Sequence, residues 1–309
     1  MDFFSSLLTA TPGALGQGLI WGVMAIGVYI TFRILDVADL TVDGSLATGG
    51  ATCVMLIRAG VNPWIAVLVA FLAGMLAGLV TGLLHTKCGI PAILAGILTQ
   101  LMLYSINLRI MDSQANTALS VTKYNLLVSQ RYVHDFTLKN PLLMLVVVLA
   151  VVILILYWFF GTELGSSLRA TGNNQNMARA QGINTNRNII LGLMFSNGLV
   201  ALSGAFLSQY QGFADINMGR GAIVIGLAAV IIGEVLFDKL FKNFALKLVG
   251  VALGAIIYYL VIQLVLQLGL NTNDLKLLTA LVVALFLAIP YLKGRVFRKK
   301  TPKGGAENA

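Results

Sequence analysis

Two short polar runs hold most of what could do chemistry in a chain of 309 residues that is 58% hydrophobic and 11% charged. The first, LDVADLTVDGS, carries Asp36, Asp39 and Asp43, three of the twelve acidic residues, in an apolar setting. The second, RATGNNQNMARAQGINTNR at 169–187, is basic, rich in asparagine and flanked by apolar stretches. Carboxylates placed like this line a cavity or an interface, because in hydrocarbon they are expensive. A basic amphiphilic run suits an acidic groove on a partner.

Catalytic chemistry is harder to build. The sequence holds no G-x-x-x-x-G-K-[ST] phosphate loop, no H-E-x-x-H, no G-x-S-x-G and no clustered His, Cys or carboxylates. That argues against a self-contained ATPase, metalloprotease or hydrolase. Cys53 and Cys88 are far apart, and His85 and His134 stand alone, so neither a disulfide framework nor a metal site is expected. Packing accounts for these four residues, and no catalytic residue or cofactor is assigned.

The elements that position the polar runs follow from composition. A mean hydropathy of +0.88 is more apolar surface than one soluble core can hide. A spanning helix needs roughly 20 apolar residues, and such stretches recur near 14–33, 62–84, 89–110, 141–160, 188–210, 219–236, 247–269 and 276–292. They are continuous and lack period-2 alternation, which excludes barrel strands. The fold class is all-α: a polytopic transmembrane helical protein with about eight to ten membrane segments. A shorter apolar piece, 45–58, carries Gly49 and Gly50 and fits a discontinuous or re-entrant helix facing a polar pathway; an ordinary connection between helices is the alternative. MDFFSS lacks the basic start of a cleavable signal, and Pro12 and Gly13 are expected to separate an interfacial N-terminal segment, 1–12, from the permeation domain at 13–292.

The net charge of +9 reads as positive-inside bias rather than nucleic-acid binding. Lys293, Arg295, Arg298, Lys299, Lys300 and Lys303 follow the last span directly, which puts the tail, 293–309, in the cytoplasm. Counting backwards puts 161–187 and 237–247 inside, with Arg169, Arg179, Arg187, Lys239, Lys242 and Lys247, and puts Lys123, Arg131, Lys139, Arg220 and Lys276 outside. The side of the N-terminus depends on whether 45–58 crosses, and stays open. V-A-D-L-T-V at 37–42 echoes F-A-D-I-N-M at 213–218 on the opposite face, as an inverted repeat requires, though two identities in six positions also arise by chance.

Within the second run, NMARAQ at 176–181 is a helix-compatible stretch between capping boundaries, GNN and GIN. A helix that short is unstable alone and needs something to pack against. It is either a solvated basic connector or a docking helix whose small Ala178 and Ala180 allow close approach.

The chain resembles the permease subunits of bacterial ABC importers in the branched-chain amino acid and ribose group. ADLTVDGSLATGGA looks like the family's segment after the first span. LRATGNNQNMARAQGINTNRNIILGLMFSNGLVALSGAF looks like its cytoplasmic coupling loop with the helix that follows. GLIWGVMAIGVYITFRILDVADLTVDGS, VTGLLHTKCGIPAILAGILTQLMLYSINLRIM and IGLAAVIIGE are similar to the permeases that accompany tryptophan- or tyrosine-type binding lipoproteins. The resemblance implies a multi-pass protein of the bacterial plasma membrane, paired with a second copy, driven by two cytoplasmic ATPase subunits and supplied by an extracytoplasmic binding protein. It assigns ATPase coupling to Gly172, Asn173, Asn174, Ala178, Arg179, Gln181, Gly182, Ile183 and Asn184. For the translocation pathway it suggests Asp39, Thr41, Asp43, Ser45, Tyr104, Ser105 and Asn107. T-V-D-G-S stands where sugar permeases have S-V-G, which favours an amino-acid cargo over ribose. An ion-coupled carrier working alone is the alternative function.

Overall fold

The computed structural model describes residues 3–133, 140–237, 240–267, 274, 277, 279–286 and 288, with the backbone alone for 3–8. Among these residues the chain forms ten α-helices, a further helical stretch at 279–286, and one two-stranded antiparallel sheet. Long uninterrupted apolar runs have no period-2 face, so only a helix satisfies every backbone group within the segment. Six stretches are long and apolar enough to cross a bilayer: Thr9–Ile34, Pro63–Thr86, Ala92–Ile110, Pro141–Gly161, Thr185–Gln211 and Phe244–Gln267. The protein is an all-α polytopic membrane protein. The expected 276–292 span is described at 277, 279–286 and 288, and all of the basic tail, 293–309, lies outside the described residues.

α8 (Thr185–Gln211) is the central strut and is buried along most of its length. α3 (Pro63–Thr86) lies antiparallel against it through a glycine stripe: Gly74 faces Asn197 and Ala201, Gly78 faces Leu193, and Gly82 faces Ile190. A side chain at Gly78 would strike the Leu193 backbone, so glycine sets how closely the two helices approach. α1 (Phe3–Tyr29) also runs antiparallel to α8, with Gly16 against Tyr210 and Gly27 against Ser196. It continues through Pro12 and Gly13 without a break in the helix. A proline is tolerated within an apolar helix when neighbouring groups take up the freed carbonyl.

The first crossing ends in a π-turn, Ile30–Ile34, after which Asp36 adopts φ +55 and the chain reverses. α2 (Val42–Arg58) then starts in the interior and runs parallel to α8, pairing Ser45 with Asn197, Gly49 with Ala201, and Cys53 with Gln209. Residues 35–58 therefore make a complete return crossing, irregular in its first part and helical in its second. This is the discontinuous helix expected from the sequence, and it places residue 3 at the same end as residue 211.

The second half repeats the plan upside down. α1, α2 and α3 are 27, 17 and 24 residues long; α8, α9 (Ala222–Phe237) and α10 (Phe244–Gln267) are 27, 16 and 24. α3 packs on α8 as α10 packs on α1, and α2 packs on α8 as α9 packs on α1. α4 (Ala92–Ile110) covers α2 and α3, while Val283 joins a cluster with Ala228 and Ile232 of α9 and Tyr258 and Ile262 of α10. The faint echo in the sequence is an equivalence of place, since each copy precedes the short helix of its triplet. Both copies fold alike: Asp39 Oδ1 accepts from Thr41 N at 2.9 Å and Asp215 Oδ1 from Asn217 N at 2.7 Å.

The remaining elements cap the two ends. β1 (Asn116–Ala118) pairs with β2 (Phe213–Asp215) at the α4 and α8 C-termini. At the other end, beyond α5 (Pro141–Gly161), lie α6 (Glu163–Asn173) and α7 (Gln175–Ala180). There a bidentate pair, Arg33 Nε and NH2 to Glu234 at 2.6 and 2.7 Å, ties the π-turn to the C-terminal part of α9.

Candidate functional site

α7 is built by its boundaries. Asn174 Oδ1 accepts from Met177 N at 3.0 Å and opens the helix, and Gly182, at φ +80, closes it. Asn184 then caps α8 through Arg187 N at 3.1 Å. The helix occupies 175–180, one residue earlier than the sequence suggests. Replacing Asn174 with Ala should loosen α7 by about 1 kcal/mol, measured as faster amide exchange across 175–180 while exchange in α8 stays unchanged.

Not all of the expected coupling residues share that helix. Gly172 and Asn173 end α6, a helix that the polar, glycine-containing sequence ELGSSLRATGN does not announce. Gly172 sits against the Ile34 and Leu35 backbone with no room for a side chain. Asn188 Nδ2 donates to Ser167 Oγ at 2.7 Å and to Thr171 Oγ1 at 2.8 Å, fastening α6 to α8. Arg179 is used internally, its Nε donating to Thr185 Oγ1 at 2.8 Å, and Ala178 is buried. Met177 is 61% exposed, and Gln181, Gly182 and Asn184 are exposed around it, with Ile183 half-buried.

Beyond the π-turn, the irregular part of the return crossing is held by a buried polar junction. Asn197 Nδ2 donates to Asp39 Oδ2 at 2.6 Å and to Leu193 O at 3.0 Å, and Ser45 Oγ donates to Asn197 Oδ1 at 2.6 Å. Thr41 Oγ1 bonds Thr81 Oγ1 at 2.7 Å, and Thr81 donates to Thr99 Oγ1 at 2.9 Å. Asp39, Thr41, Ser45, Thr81, Thr99 and Asn197 are all buried, so the junction joins the loop 35–41 to α2, α3, α4 and α8. Its groups bond one another, which is how a polar break survives inside a membrane protein. Leu35 packs on Gly192 and Leu168, and so links this loop to α6 and α8.

Asp43 joins the two halves. Its carboxylate accepts from Gly221 N and Ile223 N, both at 3.0 Å, capping the N-terminus of α9 where the two broken crossings meet. It also borders a cavity of ≈ 100 Å³ lined by Gly44, Gln100, Tyr104, Asn107, Asn217 and Arg220, among others. Of the three residues suggested in Y-S-I-N, Tyr104 and Asn107 reach this cavity; Ser105 lies on an exposed face outside it. Asn197, Thr81 and Thr99 were not expected from the sequence, nor was Gln100, and Arg220 entered only as a charge on the outer side. The one available signal was a lone Asn or Thr in the middle of an apolar span.

Comparison with known proteins decides what this arrangement is. The family model for the permease component of branched-chain amino acid transport systems matches residues 11–289. The chain belongs to that permease family. It is an ABC-type permease, a transport subunit rather than an enzyme. A tyrosine transport system permease protein of Clostridioides difficile is 41% identical over 273 residues, covering 88% of each chain. An uncharacterised protein of Rickettsia prowazekii is 34% identical over 91% of this chain and 96% of its own. A fructose import permease protein of Bifidobacterium longum is 26% identical over 87% of this chain and 75% of its own. Within the permease family, then, the broken crossings and the α6–α7 end belong to a transport subunit.

Proposed function

We propose that this permease forms the translocation path of an ATP-driven importer for an amino acid, aromatic in its side chain, in the bacterial plasma membrane. The observation that carries this reading is the placement of α6 and α7. α7, a capped helix with an exposed outer face, packs on α6, and α6 is held through Gly172 against Ile34 and Leu35 of the segment that leads into the broken crossing. Force applied to α7 by nucleotide-driven partners passes to residues 34–41 and to the Asp39 junction. The tyrosine permease likeness supports the aromatic cargo.

The α7 end is the cytoplasmic end in this reading. Among the described residues it carries Arg33, Lys87, Arg169, Arg179, Arg187, Lys242 and Lys247, against Arg58, Arg109, Lys123, Arg131 and Arg220 at the other. A second copy completes the path, two ATPase subunits dock on the cytoplasmic end, and a binding protein delivers solute outside.

The energy source separates this reading from an ion-coupled carrier. In cells that depend on this chain, uptake of labelled tyrosine and tryptophan should vanish on ATP depletion and survive ionophores that collapse proton and sodium gradients. Uptake that follows an ion gradient without nucleotide overturns the proposal.

A further inference from the structure

Asn107 is 1% exposed, and neither its Nδ2 nor its Oδ1 has a hydrogen-bond partner among the described residues. A buried amide left unpaired is costly unless it is kept for a ligand. The cavity it lines supplies the remaining chemistry. Arg220 brings a guanidinium, and Asp43 a carboxylate that accepts backbone N–H groups at the start of α9; neither has an ion-pair partner among the described residues. Gln100 and Asn217 add neutral polar groups, and the half-exposed ring of Tyr104 stands at the wall. The cavity lies between the C-terminal part of α4 and residues 216–220, on the side opposite α7.

We infer that this cavity is a receiving site for the zwitterionic head of an amino acid: Arg220 takes the carboxylate, Asp43 the ammonium, and the Asn107 amide bonds one or the other. The inference rests on the importer reading for its place in transport. Its charge pattern excludes the other obvious ligands. A neutral sugar can hydrogen-bond to both groups but neutralises neither charge, a simple anion is opposed by Asp43, and a metal cation is opposed by Arg220 and finds one carboxylate. The side chain of the solute points away from the two charges, toward Tyr104 and the open mouth.

The test uses the purified full chain in lipid nanodiscs and four probes: L-tyrosine, L-alanine, tyramine, and 3-(4-hydroxyphenyl)propionate. Both amino acids should bind, and each analogue lacking one charge should bind about tenfold more weakly or worse than tyrosine. Arg220→Gln should erase the preference for tyrosine over tyramine while leaving the preference over the propionate. Asn107→Leu should abolish binding yet raise the melting temperature, because an unsatisfied amide has been replaced by apolar volume. The inference is overturned if tyramine and the propionate bind as well as tyrosine, or if Asn107→Leu lowers the melting temperature and leaves binding intact. Cellular uptake separates this outcome from failure of the importer reading. Normal amino-acid uptake through both variants sinks the site and spares the importer; binding to the wild-type chain with no uptake of any amino acid does the reverse.

Discussion

Met177→Glu should leave the chain inserted, abundant and thermally unchanged, and cut solute uptake by about tenfold or more, because a few exposed anchors carry most of a docking energy. Met177 is the apolar residue that α7 presents outward, 61% exposed at an aqueous end. The helix has only six residues, too few to persist alone in water. Its caps at Asn174 and Gly182, the buried Ala178 and the Arg179–Thr185 bond hold it in one pose. A carboxylate at 177 spares all of these and would have to be desolvated in an apolar contact with a partner. Uptake equal to wild type at equal membrane abundance would contradict a docking role. Charge reversal at Arg179 is a poorer probe, since it also breaks the bond to Thr185.

Asn197→Leu should be the most destabilising single change in the polar junction, by about 3 kcal/mol or more, since it orphans Asp39 and Ser45 together in a buried site. The chain should accumulate poorly, and the surviving fraction should unfold at lower temperature. Adding Asp39→Leu should recover part of that loss, because removing both partners leaves fewer unpaired buried groups than removing one. Uptake should stay low in the double variant. The irregular segment 35–41 would then lack the Asp39–Thr41 turn that lets it move as a unit. A thermal melt of the three variants in detergent reads the coupling directly; additive losses would show that Asp39 and Asn197 do not act as a pair.

The parts of this protein that were legible in the sequence are those whose cause is local. Asn174 and Gly182 mark α7 because capping and chain reversal are decided within four residues. The shortness of 45–58 and its glycines marked a discontinuous helix. What the sequence hid depends on distant pairing. Asp39 meets Asn197 across 158 positions, and Asp43 caps α9 across 178, so nothing near Asp43 in the sequence announces that its carboxylate also caps a helix. α6 was hidden for the opposite reason: six of its eleven residues are Gly, Ser, Thr or Asn, weak helix formers, and it holds because Asn188 and the π-turn grip it from outside. Pro12 looked like a boundary because prolines end helices in water, whereas an apolar surrounding leaves the chain no better structure. The inverted repeat survived in two identities, yet its helix lengths and packing partners are nearly the same in both halves.

One measurement bears most directly on the claim that the α6–α7 end is where driving subunits act. Cys53 is buried and Cys88 is exposed, so Cys88→Ser gives a quiet background for Met177→Cys carrying a thiol-attached photo-cross-linker. Irradiated in native membranes, position 177 should form an adduct with a nucleotide-hydrolysing subunit, and in a parallel sample without the cross-linker its free thiol should resist impermeant thiol reagents added outside intact cells. Labelling of position 177 from outside, or the absence of any cross-linked polypeptide in an assembled and transporting complex, would contradict the account.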